Sequence, residues 1–208
     1  MLDGIARKLI DPPLNWTAKR LAAAGLGANA VTVAGFAVGV GGCVAIGFES
    51  YSLALALIAV NRLADGLDGA IARRTGSTDL GGFLDITLDT IFYSGVPFAF
   101  AVSRPEFALP AAFLIYSFVG TGGSFLAYAV VAGKRKLNTE RAGKKTFFYA
   151  AGLMEGTETV LFLVMVCLLP NDFPLLAWTF GGLCWLTTAL RIAAGVNEFR
   201  QLKEEGQL

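Results

Sequence analysis

Six stretches of about 20 apolar residues, the length that crosses a lipid bilayer as a helix, follow one another along this chain. They cover residues 30–48, 51–74, 81–103, 107–133, 146–169 and 173–195, and their connections are short apart from one basic loop. A soluble domain needs a polar coat. With 55% hydrophobic and only 16% charged residues, this chain cannot make one. The expected fold is all-α: a polytopic membrane protein whose residues 1–208 form one domain. An interfacial segment (1–25) would precede a six-helix bundle (30–195) and a cytoplasmic tail (196–208).

The segment ahead of the first span places Leu2, Ile5 and Leu9 at helical spacing opposite Arg7 and Lys8. It has no continuous apolar core and so does not read as a cleavable signal. Pro12-Pro13 is expected to break it, and Trp16 with Lys19-Arg20 suits a membrane interface, so it reads as an amphipathic interfacial helix. Lys and Arg then set the orientation. They are concentrated before the first span, after the second (Arg73, Arg74), in the loop between the fourth and fifth, and at the C-terminus, while Arg104 stands alone on the other side. By the positive-inside rule both termini face the cytoplasm. Gly35-x-x-x-Gly39 reads as helix packing, with a dimer seam as the alternative.

The chain has no histidine. That excludes His-based nucleophilic catalysis and His-ligated zinc. Cys43, Cys167 and Cys184 are isolated in apolar surroundings and read as packing residues. Acid–base or metal chemistry must therefore come from carboxylates, and five aspartates lie between Asp65 and Asp89. On a helical wheel Asn61, Asp65, Asp68, Gly69 and Ala72 share one arc of roughly 100°. Gly81, Asp85 and Asp89 repeat at i+4 on the next span. If the turn lies near Ser77, Asp65 and Asp89 sit at matching depths on antiparallel helices, as do Asp68 and Asp85. Asp79 falls in the connection, as a solvated or capping residue.

Four carboxylates at membrane depth are costly. Hard divalent cations relieve that cost, and an all-oxygen donor set suits Mg²⁺, Mn²⁺ or Ca²⁺. A pair of such ions would attract a diphosphate, and the small Gly69 and Ala72 leave room for a ligand. Two other readings are a salt-bridge network with Arg62, Arg73 and Arg74, and a divalent-cation transporter. Carboxylates confined towards one face of the membrane weigh against transport.

Asp65-x-x-Asp68-Gly69-x-x-Ala72-Arg73 followed by Gly81-x-x-x-Asp85-x-x-x-Asp89 resembles the signature of the CDP-alcohol phosphotransferases, most closely a branch of short bacterial inner-membrane members. Every fixed residue of the signature is present. The departure is a gap of seven residues between Arg73 and Gly81, where the family usually has eight. The resemblance implies transfer of a phosphatidyl or other phosphoalcohol group from a CDP-linked donor, such as CDP-diacylglycerol, to an acceptor hydroxyl, with release of CMP. It implies Asp65, Asp68 and Asp85 as ligands of two divalent ions, Mg²⁺ or Mn²⁺. Asp89 would contribute at the metal site and serve as general base, and Gly69, Ala72 and Arg73 would border the cytidine. The implied partners are lipids, the donor and an alcohol acceptor, with no nucleic acid, and a homodimer by family analogy. The implied location is the bacterial inner membrane, with the site facing the cytoplasm.

The opening of the first span, Ala28-Asn29-Ala30-Val31-Thr32, is similar to a Pro-Asn-x-x-Thr that often stands there in the family. Asn29 and Thr32 are thus expected either as nucleotide contacts or as a simple helix cap. A polar island, Glu155 to Thr159, interrupts the fifth span. Glu155 and Glu158 would either define the acceptor pocket or bond to Arg191 or a basic-loop residue. In the basic loop, Lys144 and Lys145 would either hold a phosphate on the acceptor or serve only topology and anionic-lipid attraction.

Overall fold

Apolar residues in long unbroken runs, with prolines mainly at their borders, produce helices. A computed structural model describes residues 3–134, 154 and 156–204. Among the described residues the order is α1 (Asp3–Ala23), α2 (Ala28–Gly47), α3 (Tyr51–Thr75), α4 (Asp79–Ser103), a 3-10 turn (Pro105–Phe107), α5 (Ala108–Lys134), α6 (Gly156–Leu168), a second 3-10 turn (Pro170–Asp172) and α7 (Phe173–Glu204). Among the described residues four segments, Ala28–Gly47, Asp79–Ser103, Pro105–Gly133 and Pro170–Gln201, are long and apolar enough to cross a membrane. At 25 residues α3 is long enough, but Arg62, Asp65 and Asp68 interrupt it.

Two boundaries differ from expectation. Pro12 and Pro13 do not break the N-terminal segment, because α1 runs through both. Proline already holds a helical φ; its cost is the missing N–H, which leaves carbonyls one turn back without their donor. Both prolines are exposed, and one turn on the Thr17 hydroxyl donates to the Pro13 carbonyl (3.0 Å). At the other end α7 does not stop near Gly195 but continues to Glu204. Its extension is supported by α5: the Tyr128 hydroxyl donates to Glu198 (2.8 Å) and the Tyr128 ring stacks on Phe199.

Glycine sets the approach of α2 to α3 and α4. A Cβ on Gly35 would fall 2.7 Å from the Ala64 Cβ, and one on Gly39 would fall 2.8 Å from the Phe92 ring. The Gly35-x-x-x-Gly39 pattern is therefore spent on packing within the chain. The core proper lies beyond this crossing. It is built on aromatic stacks such as Phe100–Phe173 (4.2 Å) and Phe162–Phe180 (4.4 Å). There Arg104 joins three connections, reaching Glu49 (3.1 Å) and Asn171 (2.6 Å). The three cysteines are free thiols, Cys167 and Cys184 fully buried, in keeping with a packing role.

Candidate active site

At the end of the bundle away from Arg104, the α3–α4 connection is only Gly76, Ser77 and Thr78. Gly76 takes φ +98°, which glycine adopts without strain. Thr78, not Asp79, caps α4, accepting from the Gly81 N–H (3.0 Å). Asp79 is the first residue of α4, exposed and away from the cluster. The shortened gap is thus closed by one left-handed glycine and one threonine cap.

This tight turn sets α3 and α4 antiparallel, and Asp65, Asp68, Asp85 and Asp89 line a single pocket with Thr32 of α2. They are not equivalent. Asp68 is only 6% exposed, and its Oδ2 has no hydrogen-bond partner among the described residues. Asp85 is exposed. Asp89 Oδ1 accepts from Arg62 Nη2 at 2.6 Å, and Arg62 Nη1 lies 3.7 Å from Asp65. Among the described residues no three acidic groups are already drawn together tightly enough to hold an ion. The donors nevertheless fit a hard divalent cation. All are oxygens, and a buried carboxylate oxygen without a partner is the kind of atom a cation satisfies.

The pocket opens into a cleft of about 470 Å³, within the range of small-molecule sites; Thr32, Asp68 and Asp85 belong to both. Asn29, Gly69, Ala72 and Gly81 line it. The cap of α2 is Gly27, without a side-chain bond, so Asn29 is not spent as a cap. Its Oδ1 instead faces Gly81, where a Cβ would come within 3.0 Å. A Cβ on Gly69 would meet only the Arg73 Nη1, at 3.4 Å. Arg73 is exposed beside the cleft, as is Arg74. Of the three arginines weighed as ion-pair partners, Arg62 is the one bonded to the cluster among the described contacts.

Residues 26–193 match the family model for CDP-alcohol phosphatidyltransferase. The chain belongs to that family. It is 44% identical over 206 residues to the inner membrane protein YnjF of Escherichia coli K12, covering 99% of this chain and all of that protein. It is 28% identical over 196 residues to the archaetidylinositol phosphate synthase of Pyrococcus horikoshii, covering 92% of this chain and 95% of that one. Two crystal structures of the Mycobacterium tuberculosis phosphatidylinositol phosphate synthase PgsA1 share the fold at TM-score 0.63. One, with CDP-DAG bound, is 19% identical, covering 88% of this chain and 92% of that one. The other, with manganese and citrate, is 20% identical and covers 88% of each chain. The family brings transferase chemistry in phospholipid biosynthesis and a membrane setting.

Sequence reasoning did not give a role to Asn61 or Tyr93. Asn61, 4% exposed, donates to the Gly35 carbonyl (2.9 Å) and accepts from Arg62 Nε (2.8 Å). Tyr93 accepts from Arg62 Nη1. Each was marked by position, Asn61 on the Asp65 arc and Tyr93 one turn after Asp89. Glu158 lies elsewhere, on an apolar groove of about 260 Å³ between α6 and α7 that shares no lining residue with the carboxylate cleft. Glu155, Lys144 and Lys145 lie outside the described residues.

Proposed function

We propose that this chain is an integral-membrane phosphatidyltransferase that moves a phosphatidyl group from CDP-diacylglycerol to an acceptor hydroxyl and releases CMP. The observation that carries this reading is the joining of the four signature aspartates to a cleft bordered by Asn29, Thr32, Gly69 and Ala72. Asp65, Asp68 and Asp85 are the proposed ligands of the divalent ions, Mg²⁺ or Mn²⁺, two in number. When bound, those ions neutralise the diphosphate and the charge that develops on the leaving CMP. The small residues at Gly69 and Ala72 admit the cytidine, with Arg73 at its edge. Asp89, expected at both metal and acceptor, is proposed as the base. It takes the acceptor proton while the acceptor oxygen bonds to the lipid-bearing phosphorus, and the bond from that phosphorus to CMP breaks.

Six crossings, an interfacial α1, cytoplasmic termini and a site facing the cytoplasm of an inner membrane complete the proposal. A homodimer remains part of it by family analogy. Glu155 and Glu158, with Lys144 and Lys145, are proposed to contact the acceptor; Glu158→Gln tests this, because unchanged acceptor selectivity removes it. Transport is disfavoured by what lies inward of the carboxylates. The pocket ends on Phe92, and the buried residues beyond on α3 and α4 are Ile58, Ala54, Val96, Pro97, Ala99 and Phe100.

The test is thermal stability of purified protein with CDP or CMP, with and without Mg²⁺ or Mn²⁺, beside Asp85→Asn. Metal-dependent stabilisation that is selective for cytidine nucleotides and lost in the variant is expected. Folded protein that responds to metal but to no nucleotide or CDP-linked lipid would make transport the better reading.

A further inference from the structure

The apolar side of α1 is spent inside the protein. Leu14 Cδ1 lies 2.9 Å from where a Gly66 Cβ would stand, and Ala18 is buried in one cluster with Ala70 and Ile71. Trp16, Lys19 and Arg20 fall on the opposite side of the helix from Ala18. All three are exposed, with Arg20 stacked 3.7 Å above the Trp16 ring. The seam advances along both helices together, from Leu14 at Gly66 to Ala18 with Ala70. It therefore carries Lys19 and Arg20 to the level of the last turn of α3, where Arg73 and Arg74 are exposed as well. Four cations from two distant segments form one band.

The band stands where the chain enters the membrane. α1 ends at Ala23, one span begins at Ala28 and another at Asp79. Among the described residues none of the four cations is in an ion pair, with Asp79 or any other acid. Basic side chains at such a boundary are drawn to an anionic leaflet, and tryptophan favours the headgroup level. We propose that this α1–α3 band is a docking site for anionic lipid headgroups, their phosphates held by Lys19, Arg20 and Arg74 with Trp16 at headgroup depth. Arg73 also stands beside the carboxylate cleft, so the band gathers anionic lipids at the cleft mouth. A CDP-linked lipid donor is itself anionic. That last step rests on the function proposed above; the lipid preference does not.

The experiment reads Trp16 emission from the full chain in vesicles of equal parts phosphatidylcholine and phosphatidylglycerol, with bromine on one lipid or on the other. The Trp16 signal is the difference between each protein and its W16F counterpart, an exposed substitution that leaves the core untouched. At about 0.1 M salt, quenching by the brominated phosphatidylglycerol is expected to exceed that by the brominated phosphatidylcholine at least about twofold. The excess should be largely lost in K19Q/R74Q, which keeps Arg20 against Trp16, and in about 1 M salt, where screening shortens to about 3 Å. The salt arm needs no variant. Equal quenching by the two lipids overturns the proposal and leaves this face to another occupant. A preference that K19Q/R74Q leaves unchanged also overturns it, because the band's charge is then not the cause. A salt-sensitive preference in a chain that binds neither CDP nor CMP keeps the docking site and removes only the donor step.

Discussion

At Gly69 the helix gives up intrinsic stability to keep space. Alanine in a helix interior is favoured over glycine by about 0.8–1.0 kcal/mol, and only Arg73 Nη1 approaches the site of a Cβ. Gly69→Ala should therefore hold or raise the thermal midpoint of the ligand-free protein. Gly69→Leu, which projects into the cleft, should weaken CDP binding more than about tenfold, measured by calorimetry in Mn²⁺. Gly39 is the opposite case. Its added Cβ would meet Phe92 at 2.8 Å and Asn61 at 2.9 Å, so Gly39→Ala should cost about 1–3 kcal/mol by overpacking and lower the midpoint with or without ligand. The shared face of Asp65, Asp68, Gly69 and Ala72 was legible in the sequence because helical periodicity fixes which residues share an arc. The Arg62–Asp89 pair was not, since an arginine three residues before Asp65 fits several partners until the depth of α4 is known.

Among the elements, α1 shows how a local rule is overridden. A proline pair ends most helices, yet here packing against α3 holds the segment together. Ala18 is fully buried with Ala70 and Ile71, and Leu14 sits where a Gly66 side chain would be. Ala18→Leu should overpack this seam by about 1–3 kcal/mol, seen as a lower thermal midpoint. The other face of α1 carries exposed Trp16, with Arg20 stacked 3.7 Å above its ring. If α1 lies in the interface, Trp16 fluorescence, with Trp178 and Trp185 changed to Phe, should be quenched most by lipids brominated near the headgroup. Strongest quenching at the bilayer centre would refute that placement. Helix positions were legible from hydropathy, and most starts fall within two residues of expectation. The far end of α7 was missed because the support for residues 196–204 comes from Tyr128 on α5, a contact no local pattern announces.

At the scale of the whole molecule, two polar clusters stand at opposite ends. The Gly76–Thr78 turn and the carboxylates stand at one, and Glu49, Arg104 and Asn171 at the other. Single cysteines at Ser77 and Glu106, in a cysteine-free background, should be labelled by a membrane-impermeant maleimide from opposite sides of the membrane. Labelling of both from one side would remove the proposed topology. The Arg104 contacts have a mechanical consequence as well. They fasten the α2–α3, α4–α5 and α6–α7 connections to one another, much as the spring of a clothes-peg joins its arms. Helices pinned at that end behave as levers: a small tilt is felt least at the pivot and most at the far ends, where the cleft opens.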